Sequence, residues 1–232
     1  MVRPTVPQNV SEYARACLHA VAGSGLGTHL SLGGAFGLSH YLEYRLTNDI
    51  DAWWTEVPQS DVRDRVISAI RGALERFGSV RVRTWGDVTS IELSVAGHVV
   101  FSFQIARRTA LLGEEIVGLW PGGVRLDGFS DIVASKMVAL INRGAPRDFR
   151  DIHALVKADL ISARECWDLW EGRQKLARED TDRRRAALAI RSHLARIESV
   201  RPLESIESTD QRAEAAQVRG WIAKELLGEP SH

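Results

Sequence analysis

The sequence predicts an α+β fold in two parts, a mixed strand-and-helix half over residues 1–128 and an almost wholly helical half over residues 129–232. Three observations predict it. Between residues 80 and 105, apolar residues alternate with polar ones at a period of two, the mark of half-buried strands. In Asp61 to Phe77 the apolar residues Val62, Val66, Ile70, Ala73, Leu74 and Phe77 recur at helical spacing. After the loop Trp120-Pro121-Gly122-Gly123 the strand patterns stop and helical ones take over, which puts the boundary near residue 128.

The elements follow in order. Residues 1–9 are polar, carry two prolines and predict a frayed start. A helix runs from Ser11 to about Ala22, with Tyr13, Cys17, Leu18 and Val21 on one side, and Gly23-Ser24-Gly25 ends it. Leu30 to Leu32 is a short strand that delivers Gly33-Gly34, and residues 35–44 read as a helix. Ile50 and the two tryptophans that follow Asp51 fit a buried strand. The helix at Asp61 to Phe77 has Gly78 placed to cap it. Three strands come next, with Val80 and Val82 in the first, Ile91, Leu93 and Val95 in the second, and Val99, Phe101, Phe103 and Ile105 in the third. Ala96-Gly97-His98 reads as a hairpin; pairing Val95 with Val99 would set Glu92 opposite Ser102. In the second half Ser130 caps a helix to about Asn142, and Pro146 opens another to about Ala158. Ser162 and Glu165 form a capping box, and charged helices occupy about 180–200 and 209–227.

Bulk properties narrow the function classes. Lys and Arg number 30 and Asp and Glu number 30, so the balance of charge exerts no global pull on nucleic acid. The two cysteines, Cys17 and Cys166, are far apart and read as small buried hydrophobes in a reducing cytoplasm. No signal-peptide pattern and no run of about 18 apolar residues occurs, so a cytoplasmic protein with no membrane span is expected. Zinc-type His/Cys clusters, a Walker motif and a nucleophile elbow are all missing from the sequence.

The chemistry-bearing segment is Leu32-Gly33-Gly34-Ala35-Phe36 followed by Arg45-Leu46-Thr47-Asn48-Asp49-Ile50-Asp51. Carboxylates at i and i+2 on a strand point to one face, and so can hold a divalent cation. Magnesium takes oxygen ligands and is usually held by one or two carboxylates together with substrate phosphates. Glycines let the backbone approach those phosphates, since no Cβ intervenes. Desolvating two carboxylates among Ile50, Trp53 and Trp54 would be costly without a cation.

A second constellation is Lys136 with Arg143, Arg147, Asp148, Arg150 and Asp151. A lysine can neutralise phosphate charge, and Asp148 and Asp151 at i and i+3 face roughly one way. By spacing alone, Arg147 and Asp151 are equally an ordinary i,i+4 surface pair. A third acid for two-metal chemistry is not evident in strand 99–105, whose non-core face offers Ser102 and Gln104; Glu92 on the neighbouring strand is a substitute candidate.

Gly-Gly, about ten residues, then Arg-x-Thr-x-Asp-Ile-Asp resembles the AbiEii family of nucleotidyltransferase toxins in the DNA polymerase β-like superfamily. Lys136-Met137-Val138-Ala139-Leu140, Arg143-Gly144-Ala145 and Arg147-Asp148-Phe149-Arg150-Asp151-Ile152 resemble that family's later motif. The resemblance covers roughly residues 28 to 156. It implies a nucleotidyltransferase-like mixed sheet followed by a helical C-terminal bundle. It also implies nucleotide transfer from a nucleoside triphosphate with Mg2+ (or Mn2+), often onto the 3′ end of tRNA, and a cognate antitoxin. Carried over by position, Gly33 and Gly34 would contact triphosphate, Asp49 and Asp51 would hold metal, and Lys136 would bind phosphate. Asp151 would be an essential acid, as base or structural partner. Arg45 would steady the loop before the aspartates or touch phosphate, and Arg147 and Asp148 would be secondary. Two departures stand out: Ala35-Phe36-Gly37 replaces the usual Thr-Ala-Leu, and strand 99–105 has no carboxylate.

The expectation is a metal-dependent nucleotidyltransferase acting on RNA, with arginines 143, 147 and 150 holding its backbone. The alternatives are transfer to a small molecule or a protein, or a degenerate module that binds nucleotide or RNA without turnover.

Overall fold

A computed structural model describes residues 2–228, which fall into two compact units divided between Ile132 and Val133. The first unit contains α1 (Glu12–Gly23), β1 (Leu30–Gly33), α2 (Gly34–Ser39), β2 (Asp49–Trp54), α3 (Ser60–Glu75), β3 (Ser79–Trp85), β4 (Val88–Val95), β5 (His98–Arg107) and β6 (Arg125–Leu126). Its strands form one six-stranded mixed sheet in the order β3-β4-β5-β2-β1-β6. The aspartate-bearing β2 runs antiparallel to β1 and parallel to β5. A two-residue β6, parallel to β1, closes that edge; the sequence patterns did not predict it.

Period-two alternation gives the sheet two unlike faces. Leu30, Leu32, Ile50, Ala52, Ile91, Leu93, Phe101, Phe103 and Ile105 form the apolar face, with Cys17, Leu18 and Val21 of α1 and Val66, Ile70 and Leu74 of α3 in the same core. Each Val, Leu, Ile or Phe among them contributes about 1.5–3 kcal/mol by leaving water. The opposite face carries Asp49 and Asp51 beside Ser102 and Gln104, with Ser90 and Glu92 one strand further out.

Several sequence expectations change. Residues 5–9 are tied down: Thr5 N–H donates to the His40 carbonyl (2.8 Å), and Gln8 and Asn9 N–H donate to the Glu43 carboxylate (2.8 and 2.7 Å). Those bonds engage the 40–43 segment, and α2 ends at Ser39 instead of reaching residue 44. Gly78 does not adopt the left-handed cap; it is there because a Cβ would lie 2.3 Å from the Ser94 carbonyl oxygen. The 95–98 hairpin is a two-residue turn with Ala96 and Gly97 both at positive φ, and Val95 faces His98, not Val99. A bulge between Leu93 and Ser94 absorbs that slip, so Glu92 does sit opposite Ser102.

The chain continues through α4 (Phe129–Asn142), which lies across the division between the units. Gly128, not Ser130, supplies the carbonyl that accepts the first helical bonds, from Asp131 and Ile132. The second unit adds α5 (Pro146–Lys157), α6 (Ala163–Ala177), α7 (Arg183–Val200) and α8 (Thr209–Trp221). At α6 the predicted capping box is present: Ser162 accepts from Glu165 N–H (3.2 Å) and the Glu165 carboxylate accepts from Ser162 N–H (2.8 Å). Among the described residues no helix is long and apolar enough to cross a membrane.

Candidate active site

The two halves of the glycine–aspartate segment meet across β1 and β2. Gly33 pairs with Asp51 in the antiparallel register. Gly34 has φ +58°, and a Cβ built on it would fall 2.0 Å from Asp51 Oδ2. Both the backbone conformation and the contact therefore require glycine. The Asp51 carboxylate packs onto the bare backbone of Gly34, and the turn and the acid form one structure.

Asp49 is exposed and Asp51 half-buried on the polar face, so their carboxylates do not bear the desolvation expected from their apolar neighbours in sequence. Alternation sends Ile50 and Trp54 into the core and the aspartates away from it. Ser102 Oγ on β5 donates to Asp49 Oδ1 (2.8 Å) and orients it. A hydroxyl thus stands beside Asp49 where a third carboxylate was sought. Glu92 lies one strand beyond Ser102, roughly 9–10 Å across the sheet from Asp49. Both its oxygens accept from Arg83 Nη2 (2.5 and 2.6 Å), so it is not joined to the aspartates. Among the described residues no group of three acidic, histidine or cysteine side chains is placed to hold a metal. The donor set present, two carboxylates on one strand face beside a glycine turn, fits a magnesium ion that takes its remaining oxygens from phosphates and water.

Arg45 serves its own loop, donating to Tyr44 Oη (3.0 Å) and the Leu46 carbonyl (3.4 Å). Sequence reasoning missed Asp127, just after β6. It is 1% exposed and accepts from Ser31 Oγ (2.7 Å), Trp53 Nε1 (2.9 Å) and Arg108 Nη2. Its N–H donates to the Leu32 carbonyl and its carbonyl accepts from Tyr41 Oη, 2.9 and 2.7 Å. Burial pushes this carboxyl group above the usual carboxylate range and the Arg108 guanidinium opposes the rise. With three side-chain donors aimed at it, the carboxylate is the form the site is built for. A Cβ on Gly33 would lie 3.0 Å from Asp127 Oδ2, so the same residue backs the glycine turn. No local pattern marks it, since its side-chain partners Ser31 and Trp53 stand 96 and 74 residues away.

In the second unit, Lys136 of α4 and Asp151 of α5 form a buried ion pair, Nζ to Oδ2 2.6 Å, with side chains 9% and 0% exposed. Asp151 is thus paired with Lys136, not held in the i,i+4 surface pair with Arg147 that spacing also allowed. Asp148 is buried, takes both arms of Arg143 (3.0 and 2.6 Å) and accepts from Ala145 N–H (2.9 Å), which fixes the start of α5. Arg150 pairs with Glu214 (2.9 Å). Arg147 is exposed on the rim of a cavity of about 420 Å³ that Phe149, Leu194 and Val218 also line.

Residues 17–223 match the family described as nucleotidyl transferase AbiEii toxin, type IV toxin–antitoxin system. A search of curated proteins found no match. Among solved structures, the chain is similar to JHP933 from Helicobacter pylori, at 20% identity and TM-score 0.50 over 94% of this chain and 95% of that one. It is also similar to a candidate nucleotidyltransferase of H. pylori, at 19% identity and TM-score 0.52 over 96% and 100% of the two chains.

Proposed function

Because the chain belongs to the AbiEii family of nucleotidyltransferase toxins of type IV toxin–antitoxin systems, we propose that it moves a nucleotide from a nucleoside triphosphate to RNA, with the 3′ end of tRNA as acceptor. The observation that carries this reading is the packing of Asp51 onto Gly34, which joins a backbone able to approach phosphates to a carboxylate able to hold a cation.

In this reading Asp49 and Asp51 hold magnesium or manganese, and Ser102 keeps Asp49 in its rotamer. Such an ion, when bound, neutralises charge on the phosphates. Gly33 and Gly34 let Trp53 and Asp51 close onto the main chain, and this reading places the phosphates at the turn they form. By its place in the later motif Lys136 is the lysine this reading assigns to phosphate, and Asp151 is paired with its ammonium. The acceptor hydroxyl oxygen bonds to the α-phosphorus, the bond to pyrophosphate breaks, and the hydroxyl proton is lost. Arg45 and Asp148 act through the backbone they brace. The exposed Arg147 is available to RNA phosphate, whereas Arg143 and Arg150 are engaged within the protein. The reaction belongs to the cytoplasm, where triphosphates and tRNA coexist, and a cognate antitoxin counters it.

The zero net charge favours a second acceptor class, a small molecule or a protein. One experiment separates them. The protein, with magnesium or manganese, is incubated with each α-labelled triphosphate and either total tRNA or a cell extract stripped of RNA. Label on tRNA that disappears in Asp51→Asn supports RNA transfer. Label on extract components alone transfers the proposal to the second class, and no label in either arm refutes catalysis.

A further inference from the structure

Arg108 follows β5 directly, and its side chain is 10% exposed. One nitrogen, Nη2, does all its observed bonding, to Asp127 Oδ1 and to Glu115 Oε1 at 3.2 Å. Nε and Nη1 are buried with no hydrogen-bond partner. A donor left unmade inside a protein is destabilising, the more so where the group is charged. Two on one guanidinium is an unusual expense for a residue whose only task is to neutralise Asp127, because a fork of five N–H donors could satisfy that carboxylate with two parallel bonds.

The position of this cation is informative. Asp127 meets Arg108 through Oδ1 and backs Gly33 through Oδ2, so a single carboxylate separates the guanidinium from the glycine turn. Glu115, which also accepts from Arg125 (2.9 Å), holds Arg108 from the other side. Arg108 and Arg125 face Glu115 and Asp127, with Asp131 also near Asp127, and what Arg108 lacks is acceptor atoms for Nε and Nη1. A phosphate group presents several acceptor oxygens in the geometry a guanidinium fork matches.

We propose that Arg108 is a phosphate-binding residue of the active site, its Nε and Nη1 completed by oxygens of the substrate triphosphate while Asp127 and Glu115 hold the side chain in place. The proposal rests on the nucleotide-transfer reading above. Phosphates of an RNA acceptor have the same chemistry, so the test distinguishes the two sources.

The full-length protein is titrated calorimetrically with each Mg-nucleoside triphosphate, with tripolyphosphate, with the matching nucleoside and with an eight-residue oligoribonucleotide bearing no triphosphate. Wild type, Arg108→Lys, Arg108→Gln and the double variant Arg108→Gln/Asp127→Asn are compared, with thermal melts alongside. The double variant avoids stranding Asp127, and so keeps a folded protein available should the single change fail. The expected result is at least a tenfold rise in Kd for Mg-triphosphate and tripolyphosphate in both Gln variants. Arg108→Lys recovers part of the loss, and nucleoside and oligoribonucleotide affinities are unchanged. Wild-type tripolyphosphate affinity in a folded Gln variant overturns the proposal, as does a loss confined to the oligoribonucleotide. If wild type binds no triphosphate at all, the nucleotide reading itself falls; binding by wild type that the variants retain removes only the role of Arg108.

Discussion

Gly34 and Asp51 are separated by sixteen intervening residues and meet within van der Waals contact, and the consequences can be measured one residue at a time. Asp49→Asn and Asp51→Asn remove charge from the polar face without opening the core. We expect nucleotide transfer to fall at least about a hundredfold, on the scale of a lost charge-stabilising group, with melting temperatures close to wild type. Gly34→Ala differs, because left-handed backbone costs a residue with a Cβ about 1–2 kcal/mol before the contact with Asp51 is counted. That variant loses stability and activity together, whereas the two aspartate variants lose activity alone; calorimetry beside the transfer assay separates them. Lys136 gives the opposite signature to Asp49. Lys136→Ala leaves Asp151 charged and buried, a loss of about 3–5 kcal/mol by denaturant titration. Lys136→Met with Asp151→Leu removes both charges, and most of that stability returns while transfer does not.

At the scale of elements, most starts and stops were legible because they rest on neighbours in sequence. Ser162 and Glu165 are three residues apart, so their capping box could be read directly, and Ser162→Ala is expected to cost about 1 kcal/mol in a thermal melt. Ser11 caps α1 in the same way, accepting from Ala14 N–H (3.1 Å). The misread ends share one cause, a partner remote in sequence. The 40–43 segment is bonded to residues 5, 8 and 9 where the sequence pattern would continue α2. Gly78 answers to the Ser94 carbonyl, not to the helix it follows. The two residues of β6 are too few to show a period, and they form a strand only because β1 lies beside them.

For the molecule as a whole, acid and thiol chemistry report on the integrity of the core. His40 is buried, its Nδ1 donating to the Phe36 carbonyl (2.8 Å) while Nε2 accepts from Trp120 Nε1 (2.8 Å). Acceptance at Nε2 requires the neutral ring, and burial lowers its pKa from 6.5 to about 4. As pH falls below 6.5 the unfolded chain takes up this proton first, so stability declines down to about pH 4 and no further from this group. The contribution is on the order of 3 kcal/mol. Denaturant midpoints across that range should fall more steeply in wild type than in His40→Gln; parallel curves would exclude the assignment. Cys17 and Cys166 are buried, and burial pushes both thiols up to about 12. A thiol reagent at pH 8 should label neither in the native protein and both in denaturant.

The sequence by itself determined the α+β class, the strand that carries Asp49 and Asp51 on one face, the helix starts at Ser11 and Ser162, and the two motifs that resemble the family. All of these depend on spacing along the chain, where period two and period 3.6 decide which side chains share a side. Only the tertiary structure decided the placement of β2 between β1 and β5, the packing of Asp51 on Gly34, the pairing of Lys136 with Asp151, and the cluster of Arg108, Glu115 and Asp127 behind the glycine turn. Those contacts join residues on different elements and loops, and hydrogen bonding and burial select them only once strand order and helix packing have brought the elements together.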